Sequence, residues 1–319
     1  MIRLKTHIFW ALLLLMPELA HSQFFNRQNG WKNYRKEVFG LVGFSNYLGE
    51  LGGLDGLGKK YFILDLEISQ SKLSYGGGFR YHFNQQMSGR FQGYYGKVSG
   101  SDQLTGNPER AYRNLSFESK IYEASIQYEY YILRTQPGHL YRIKGANGMK
   151  PQRWDLYGAA GISGFYFNPK ADGVALQPLG TEGQGLPGGP PKKYSRIMIG
   201  FPVGFGVNMM LTNNIKIGLD FSYRFTFTDY LDDVSTFYYD NDKLRALAGD
   251  AAADQADKSP GGNPNWTVEG AIRGNPANND AYLTAMASLT YVMKKKKRRG
   301  PRRQGGAHPF QRRGKSSRF

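Results

Sequence analysis

The 319-residue chain carries no cysteine and a net charge of +17, with 41 glycines, 22 tyrosines and 20 phenylalanines. Lack of cysteine excludes a disulfide framework, a lipid-anchored cysteine and thiol chemistry. No run approaches the roughly 20 apolar residues of a membrane-crossing helix, while abundant glycine and aromatics at only 40% hydrophobic content suit strands alternating between lipid and a polar lumen.

The chain opens with Arg3 and Lys5, an apolar run from Ile8 to Met16, and Ala20-His21-Ser22. This order predicts a signal peptide over 1–22, because the apolar core is about half the length a membrane helix needs. Residues 23–36 are polar and read as a periplasmic lead-in. A first strand is predicted over 37–46, with glycines that leave its outward parity open. The second, 74–83, sets Tyr75, Phe79, Tyr81 and Phe83 against Arg80 and His82. After the turn Asn84-Gln85-Gln86, the third, 89–98, turns Arg90, Gln92 and Tyr94 inward. The fourth, 117–133, puts Tyr122, Ala124, Ile126, Tyr128 and Tyr130 opposite Glu123 and Glu129. The fifth, 154–167, is glycine-rich and again open in parity. The sixth, 196–209, alternates Ile197, Ile199, Phe201, Val203 and Phe205 with Arg196 and a series of small residues.

The seventh strand, 215–227, is the clearest. Ile215, Ile217, Leu219, Phe221, Tyr223, Phe225 and Phe227 alternate with Lys216, Gly218, Asp220, Ser222, Arg224 and Thr226. Strict period two over a length beyond the roughly nine to eleven residues of a tilted membrane strand predicts a lipid face and a lumen face. With 281–293 as the eighth strand, the fold class is an all-β, eight-stranded antiparallel transmembrane β-barrel over 37–293. The connections 47–73, 99–116, 168–193 and 228–280 are long, and those after the second and sixth strands are short. That asymmetry places the barrel in the outer membrane with both termini periplasmic; the long connection 134–152 is its one exception. Leu186 to Pro191 and Ala246 to Asn265 read as mobile loop segments. Residues 294–319 hold twelve Lys and Arg and no acid, and read as a disordered periplasmic tail.

The inward side chains include Arg80, Arg90, Arg196, Lys216 and Arg224 against Glu123, Glu129 and Asp220. An eight-stranded barrel is just wide enough for side chains to fill, and unpaired buried charge is costly. Paired charges therefore predict a plugged polar lumen rather than a channel. No histidine falls in an outer loop, so the expectation is no enzyme and no catalytic residue. Asp229, Asp232, Asp233, Asp240 and Asp242 follow the seventh strand without the spacing of a known calcium loop, and read as an acidic rim with no metal or other cofactor. For the basic tail, export argues against nucleic acid. Anionic headgroups, an acidic periplasmic partner and a simply solvated tail all remain open.

Three segments carry a resemblance. Gly43 to Gly53, with Asn46, Tyr47 and Leu48, leaves the first strand; Arg113-Asn114-Leu115-Ser116-Phe117 opens the fourth; Thr228 to Ser235, with Asp229, Tyr230, Leu231, Asp232 and Asp233, leaves the seventh. Together they resemble the PorG-type outer-membrane barrels of the type IX secretion and gliding machinery. The resemblance implies a non-catalytic structural subunit that ties a periplasmic ring, built from a lipoprotein and its partner, to the outer membrane. In the basic tail, which is longer and more charged than the family pattern, Lys294, Lys295, Lys296, Lys297, Arg298 and Arg299 are candidate contacts for a periplasmic partner. The alternative expectation is a stand-alone small barrel that stabilises the envelope or binds surface ligands through its outer loops.

Overall fold

The computed structural model describes residues 30–49, 51, 70–104, 107–135, 153–212, 214–261 and 264–295. The expected signal peptide, the first half of the lead-in and the tail beyond Lys295 lie outside these residues. Eight long strands build the sheet: β1 (Lys36–Leu48), β2 (Lys72–His82), β3 (Met87–Ser101), β4 (Ser116–Leu133), β5 (Trp154–Ala171), β7 (Ile197–Met210), β8 (Ile215–Thr226) and β9 (Ala281–Met293). A two-residue strand, β6 (Val174–Ala175), folds back on the end of β5. The order β4-β3-β2-β1-β9-β8-β7-β5 is closed by a further β4–β5 pairing, and every long strand is antiparallel to both neighbours. This is a closed eight-stranded antiparallel β-barrel. Closure leaves no unpaired edge, as a strand protein must achieve to sit in lipid.

Alternation decides which atoms meet lipid. Along β4 the burial strictly alternates from Phe117 to Glu129, with the large apolar groups of even number outside and the odd residues inside. Ile126 and Ile197 stand 69% and 70% exposed, and similar apolar side chains surround the barrel on every long strand. A continuous apolar belt of this extent far exceeds the few hundred Å² of exposed patch a water-soluble monomer tolerates; hydrocarbon is the solvent that suits it. Four tyrosines, Tyr75, Tyr95, Tyr122 and Tyr166, stand side by side across β2 to β5 as one row of an interfacial aromatic girdle. The ladder between β5 and β7 skips the pairs between Ala160↔Val203 and Ser163↔Gly200. Pro202 lies in that gap, where its missing N–H removes a rung.

One end of the barrel carries the tight connections after β2 and β7 and the described segments that lead into β1 and out of β9, and is called the turn end below; the other is the loop end. Several loop-end features depart from expectation. β1 runs through Leu48, so Asn46, Tyr47 and Leu48 belong to the strand and are paired with Leu283, Tyr282 and Ala281. The segment 246–265, read as mobile, instead contains the last three residues of one helix, α2 (Asn241–Ala248), and all of a second, α3 (Asp250–Ala256), preceding a single turn at Pro264–Trp266. Asp240 caps α2 by accepting from the Lys243 N–H at 3.0 Å. Leu244, Ala252 and Ala256 pack with Leu179, Leu186 and Tyr239. The Gly/Pro content that marked this loop and residues 186–191 as mobile is used in hydrogen-bonded turns, such as Leu186 N–H to Gly183 O at 2.9 Å. A further helix, α1 (Pro108–Arg113), precedes β4 and ends on Asn114 in the left-handed region.

Candidate functional site

In the turn-end half of the interior, charges from six strands meet. Glu129 on β4 receives Arg80 through two bonds, Nε to Oε2 at 2.6 Å and Nη2 to Oε1 at 2.9 Å, in the planar fork geometry that suits a carboxylate. Ser88 Oγ donates to the same carboxylate at 2.6 Å. Arg80 Nη1 reaches Glu37 on β1 at 3.0 Å, and Lys216 Nζ on β8 bridges Glu37 and Asp155 at 2.8 and 2.7 Å. His82 Nε2 lies 3.0 Å from Glu37 Oε1. Arg90 Nη1 is 2.8 Å from Asp220 and 3.4 Å from Glu129, and Tyr157 donates to Asp220 at 2.7 Å. Gly206 makes room for that tyrosine, since a Cβ there would stand 2.3 Å from the Tyr157 hydroxyl oxygen.

Nearer the loop end, Arg224 Nε pairs with Glu123 Oε2 at 2.9 Å, and Arg224 also donates to the Thr284 hydroxyl. Tyr282 donates to the same Glu123 oxygen at 2.5 Å. The Arg224 guanidinium lies 4.9 Å from the centre of the Tyr94 ring and 5.5 Å from that of Tyr282. Between these two groups of charges is a void of about 10 Å³ bordered by Arg90, Gln127, Asp220 and Arg224, room for about one water molecule. Beyond Glu123 the lumen becomes apolar: Tyr94, Val98, Phe117, Ile121, Phe165 and Phe167 pack with loop residues Leu51, Leu115, Leu231 and Val234.

Of the eight expected lumen charges, Arg80, Arg90, Glu123, Glu129, Lys216, Asp220 and Arg224 lie buried in these two groups. Arg196 does not. It precedes β7 by one residue, is half-buried, and bonds Asn168 at 3.4 Å with its guanidinium 5.6 Å from the centre of the outward Tyr166 ring. Glu37, His82, Asp155, Tyr157 and Tyr282 complete the interior without having been named as network members. Glu37 and Asp155 sit on the two glycine-rich strands of open parity.

The three loop-end motifs converge. The Tyr47 hydroxyl lies 2.7 Å from Asp232 Oδ2 and also contacts Asp280 Oδ1. Asp280 Oδ2 accepts from Leu231 N–H at 2.9 Å, and Asp232 Oδ1 accepts from Val234 N–H at 2.9 Å. These bonds turn the chain so that Leu231 and Val234, essentially without exposure, enter the barrel mouth. Asp233, at φ 70°, accepts from Tyr194 at 2.6 Å and from Thr181. The rings of Tyr194 and Tyr230 stack at 4.5 Å. Arg273 links Glu182 at 3.0 Å to the Asp233 carbonyl at 2.7 Å. Arg113 grips Asp102 at 2.8 and 2.9 Å and donates to the Arg273 carbonyl. Asn114 caps α1. Asp229 is buried beside this assembly, so the acidic series is not one solvated rim: its first three members are interior, whereas Asp240 and Asp242 open α2. Among the described residues no group of three or more His, Asp or Glu is arranged to hold a metal.

Burial, then the neighbouring Asp232 and Asp229, push the Asp280 carboxyl well above the usual range. Burial also raises Asp233 to about 6, against the opposing pull of Arg273. The Tyr47 oxygen carries one hydrogen and faces two carboxyl oxygens. A proton retained on Asp280 lets that pair of contacts be hydrogen bonds at once.

Fold and interior together define a transmembrane β-barrel. No protein-family model matches the chain, and no curated protein matches it in sequence. Among solved structures it is similar to Ail, the attachment invasion locus protein of Yersinia pestis, at 10% identity over 81% of this chain and 98% of that one, with a TM-score of 0.34. It is also similar to Neisserial surface protein A, NspA (11% identity, 81% and 96% covered, TM-score 0.36), and to the outer membrane protein OprG from Pseudomonas aeruginosa (12% identity, 81% and 96% covered, TM-score 0.33). Likeness at these scores carries no argument, and the barrel assignment rests on the strand pairing described above.

Proposed function

We propose that the protein is a non-conducting, non-catalytic outer-membrane barrel that holds a folded loop cap at the cell surface, serving envelope stability or the binding of surface ligands through that cap. The observation that carries the proposal is the wiring of the cap into the barrel mouth. Leu231 and Val234 are buried in the apolar core, and Tyr47 on β1 holds Asp232 and Asp280. Below that seal, charged pairs fill the lumen, so the surface left to act is that of the loops. Short turns beside the segments that enter β1 and leave β9, and long loops opposite, favour a periplasmic turn end. The test replaces residues 241–256 with a short glycine-serine linker and compares intact cells for surface-ligand binding and resistance to detergent and bile salts. Loss of either, with the barrel still inserted, supports the proposal; no change in both removes it.

A second reading keeps the resemblance to the type IX secretion barrels: a structural subunit anchoring a ring-forming periplasmic lipoprotein and its partner. One observation favours it. Lys295 N–H bonds the Asn33 carbonyl at 2.8 Å and Lys294 Nζ lies 6.0 Å from the Tyr34 ring centre, so lead-in and tail leave the barrel side by side toward the proposed periplasmic face. Lys296, Lys297, Arg298 and Arg299 lie outside the described residues. Co-purification of the tagged barrel from its own membrane separates the readings: stoichiometric recovery of a lipoprotein and its partner supports the second, and recovery of the barrel alone removes it.

A further inference from the structure

Charge is divided unevenly between the two ends. At the turn end, residues 30–36, 83–87, 134–135, 153–154, 211–212, 214 and 294–295 supply Lys32, Arg35, Lys36, Arg134, Arg153, Lys294 and Lys295 and no acid. The nearest carboxylates of those strands, Glu37 and Asp155, point inward, are buried, and are both bonded to Lys216. At the loop end acids and bases are interleaved and largely paired, as in Arg113–Asp102, Arg273–Glu182 and Lys258–Asp172.

Five of the seven turn-end cations gather where β9 meets β1. Lys36 pairs in register with Met293, and the bond from Lys295 to Asn33 brings Lys294 and Lys295 beside Lys32 and Arg35. Lys32, Lys36, Lys294 and Lys295 are exposed. Arg35 is held in place by the Trp31 ring, 4.5 Å from its guanidinium to the ring centre, and by the Tyr81 hydroxyl at 3.3 Å. Immediately toward the barrel middle the same seam turns apolar. Val38 faces Tyr291, Gly40 faces Leu289, and Ile215 and Ile217 continue that wall on β8, all on the outward side.

We infer that this seam is a binding edge for an anionic diacyl phospholipid, with the headgroup phosphate among Lys32, Arg35, Lys36, Lys294 and Lys295 and the acyl chains along Val38, Leu289, Tyr291 and Ile215. Lys36 stands on the barrel wall, paired in register with the outward Tyr81 and with Met293, and the other four cations flank it at the strand ends; lysine stems reach headgroups from that level. Lys36 is itself an outward strand residue. A protein docking onto the barrel end meets the tip and lead-in first, whereas a lipid meets wall, ring and cation together. The inference does not depend on which biological reading above holds.

The test uses full-length protein in detergent, mixed with phosphatidylglycerol and phosphatidylethanolamine of the same acyl chains, with retained lipid read by native mass spectrometry. Wild type retains phosphatidylglycerol preferentially. Changing Lys32, Lys36, Lys294 and Lys295 together to Gln lowers that preference by about fivefold per lysine at low salt, less as salt screens the charges. A matched loop-end variant, with Lys170, Lys192, Lys193 and Lys243 changed to Gln, keeps it. Equal retention of the two lipids by wild type overturns the assignment. So does an unchanged preference in the seam variant, which would hand the binding to the rest of the basic tail. All eight lysines are outside the buried lumen network, and heat-dependent gel mobility verifies that each variant is folded.

Discussion

Replacing Glu123 by Gln isolates the simplest charge pair in the lumen. Arg224 and Glu123 are 1% and 4% exposed, and Glu123 Oε2 accepts from Arg224 Nε at 2.9 Å and from Tyr282 at 2.5 Å. The amide keeps the volume and removes the only carboxylate that Arg224 contacts among the described residues, leaving a guanidinium between the Tyr94 and Tyr282 rings. A buried charge stranded in this way destabilises by about 3–5 kcal/mol. Arg224→Met strands the carboxylate instead and costs a similar amount. The double variant, Glu123→Gln with Arg224→Met, removes both charges and recovers most of the loss, so the cycle returns a favourable coupling of at least about 4 kcal/mol. Reversible urea unfolding in lipid vesicles, followed by tryptophan fluorescence, measures all four proteins. Single-variant costs below about 1 kcal/mol with no coupling would mean that the charges are solvated as in water, and the argument for a filled interior would fail.

Three further outcomes concern the cap. Tyr47→Phe removes the hydroxyl that Asp232 and Asp280 share, and lowers the local opening free energy of residues 228–235 by about 1–3 kcal/mol, read by amide hydrogen exchange. Leu231→Ala empties a fully buried site in the barrel mouth and destabilises the cap by about 2–5 kcal/mol; limited proteolysis within 241–261 should accelerate while the barrel stays heat-modifiable. The carboxyls of Asp233 and Asp280 are raised in the folded cap, so their stabilisation is complete below about pH 4. It is lost as pH rises through about 6 for Asp233 and through the raised range of Asp280. Cap proteolysis should therefore quicken between pH 5 and pH 8 by roughly the population change those groups impose, and Asp280→Asn should flatten the profile. A cap that loosens on acidification would contradict the sign.

How much was legible depended on glycine. β8 could be read outright because thirteen residues alternate with no glycine on the apolar side, and β4 because its acids and aromatics keep strict parity from Tyr122 to Tyr130. β1 and β5 carry glycines at 40 and 43, and at 158, 161 and 164, which fit either face. Without parity, the inward placement of Glu37, Asp155 and Tyr157 had no signal. Arg196 alternates correctly but sits one residue outside its strand, a distance pattern cannot resolve. The loop contacts are further out of reach. Arg273 and Glu182 are 91 residues apart, and neither lies in a periodic segment. The three motifs pointed to the right end of the barrel, yet not to the mutual bonds that fold it. Helices α2 and α3 had a local signal, Asp240 as a cap and apolar residues at helical spacing, that surrounding Gly and Pro obscured.

Planar-bilayer recording of the purified full-length barrel tests the central proposal most directly, because the proposed plug, buried charge pairs below Leu231 and Val234, would leave ions no continuous path. The account predicts no conductance steps at either polarity in wild type. Stable unitary currents that change when Arg90 is replaced by Ala would place an open aqueous path through the interior and contradict it.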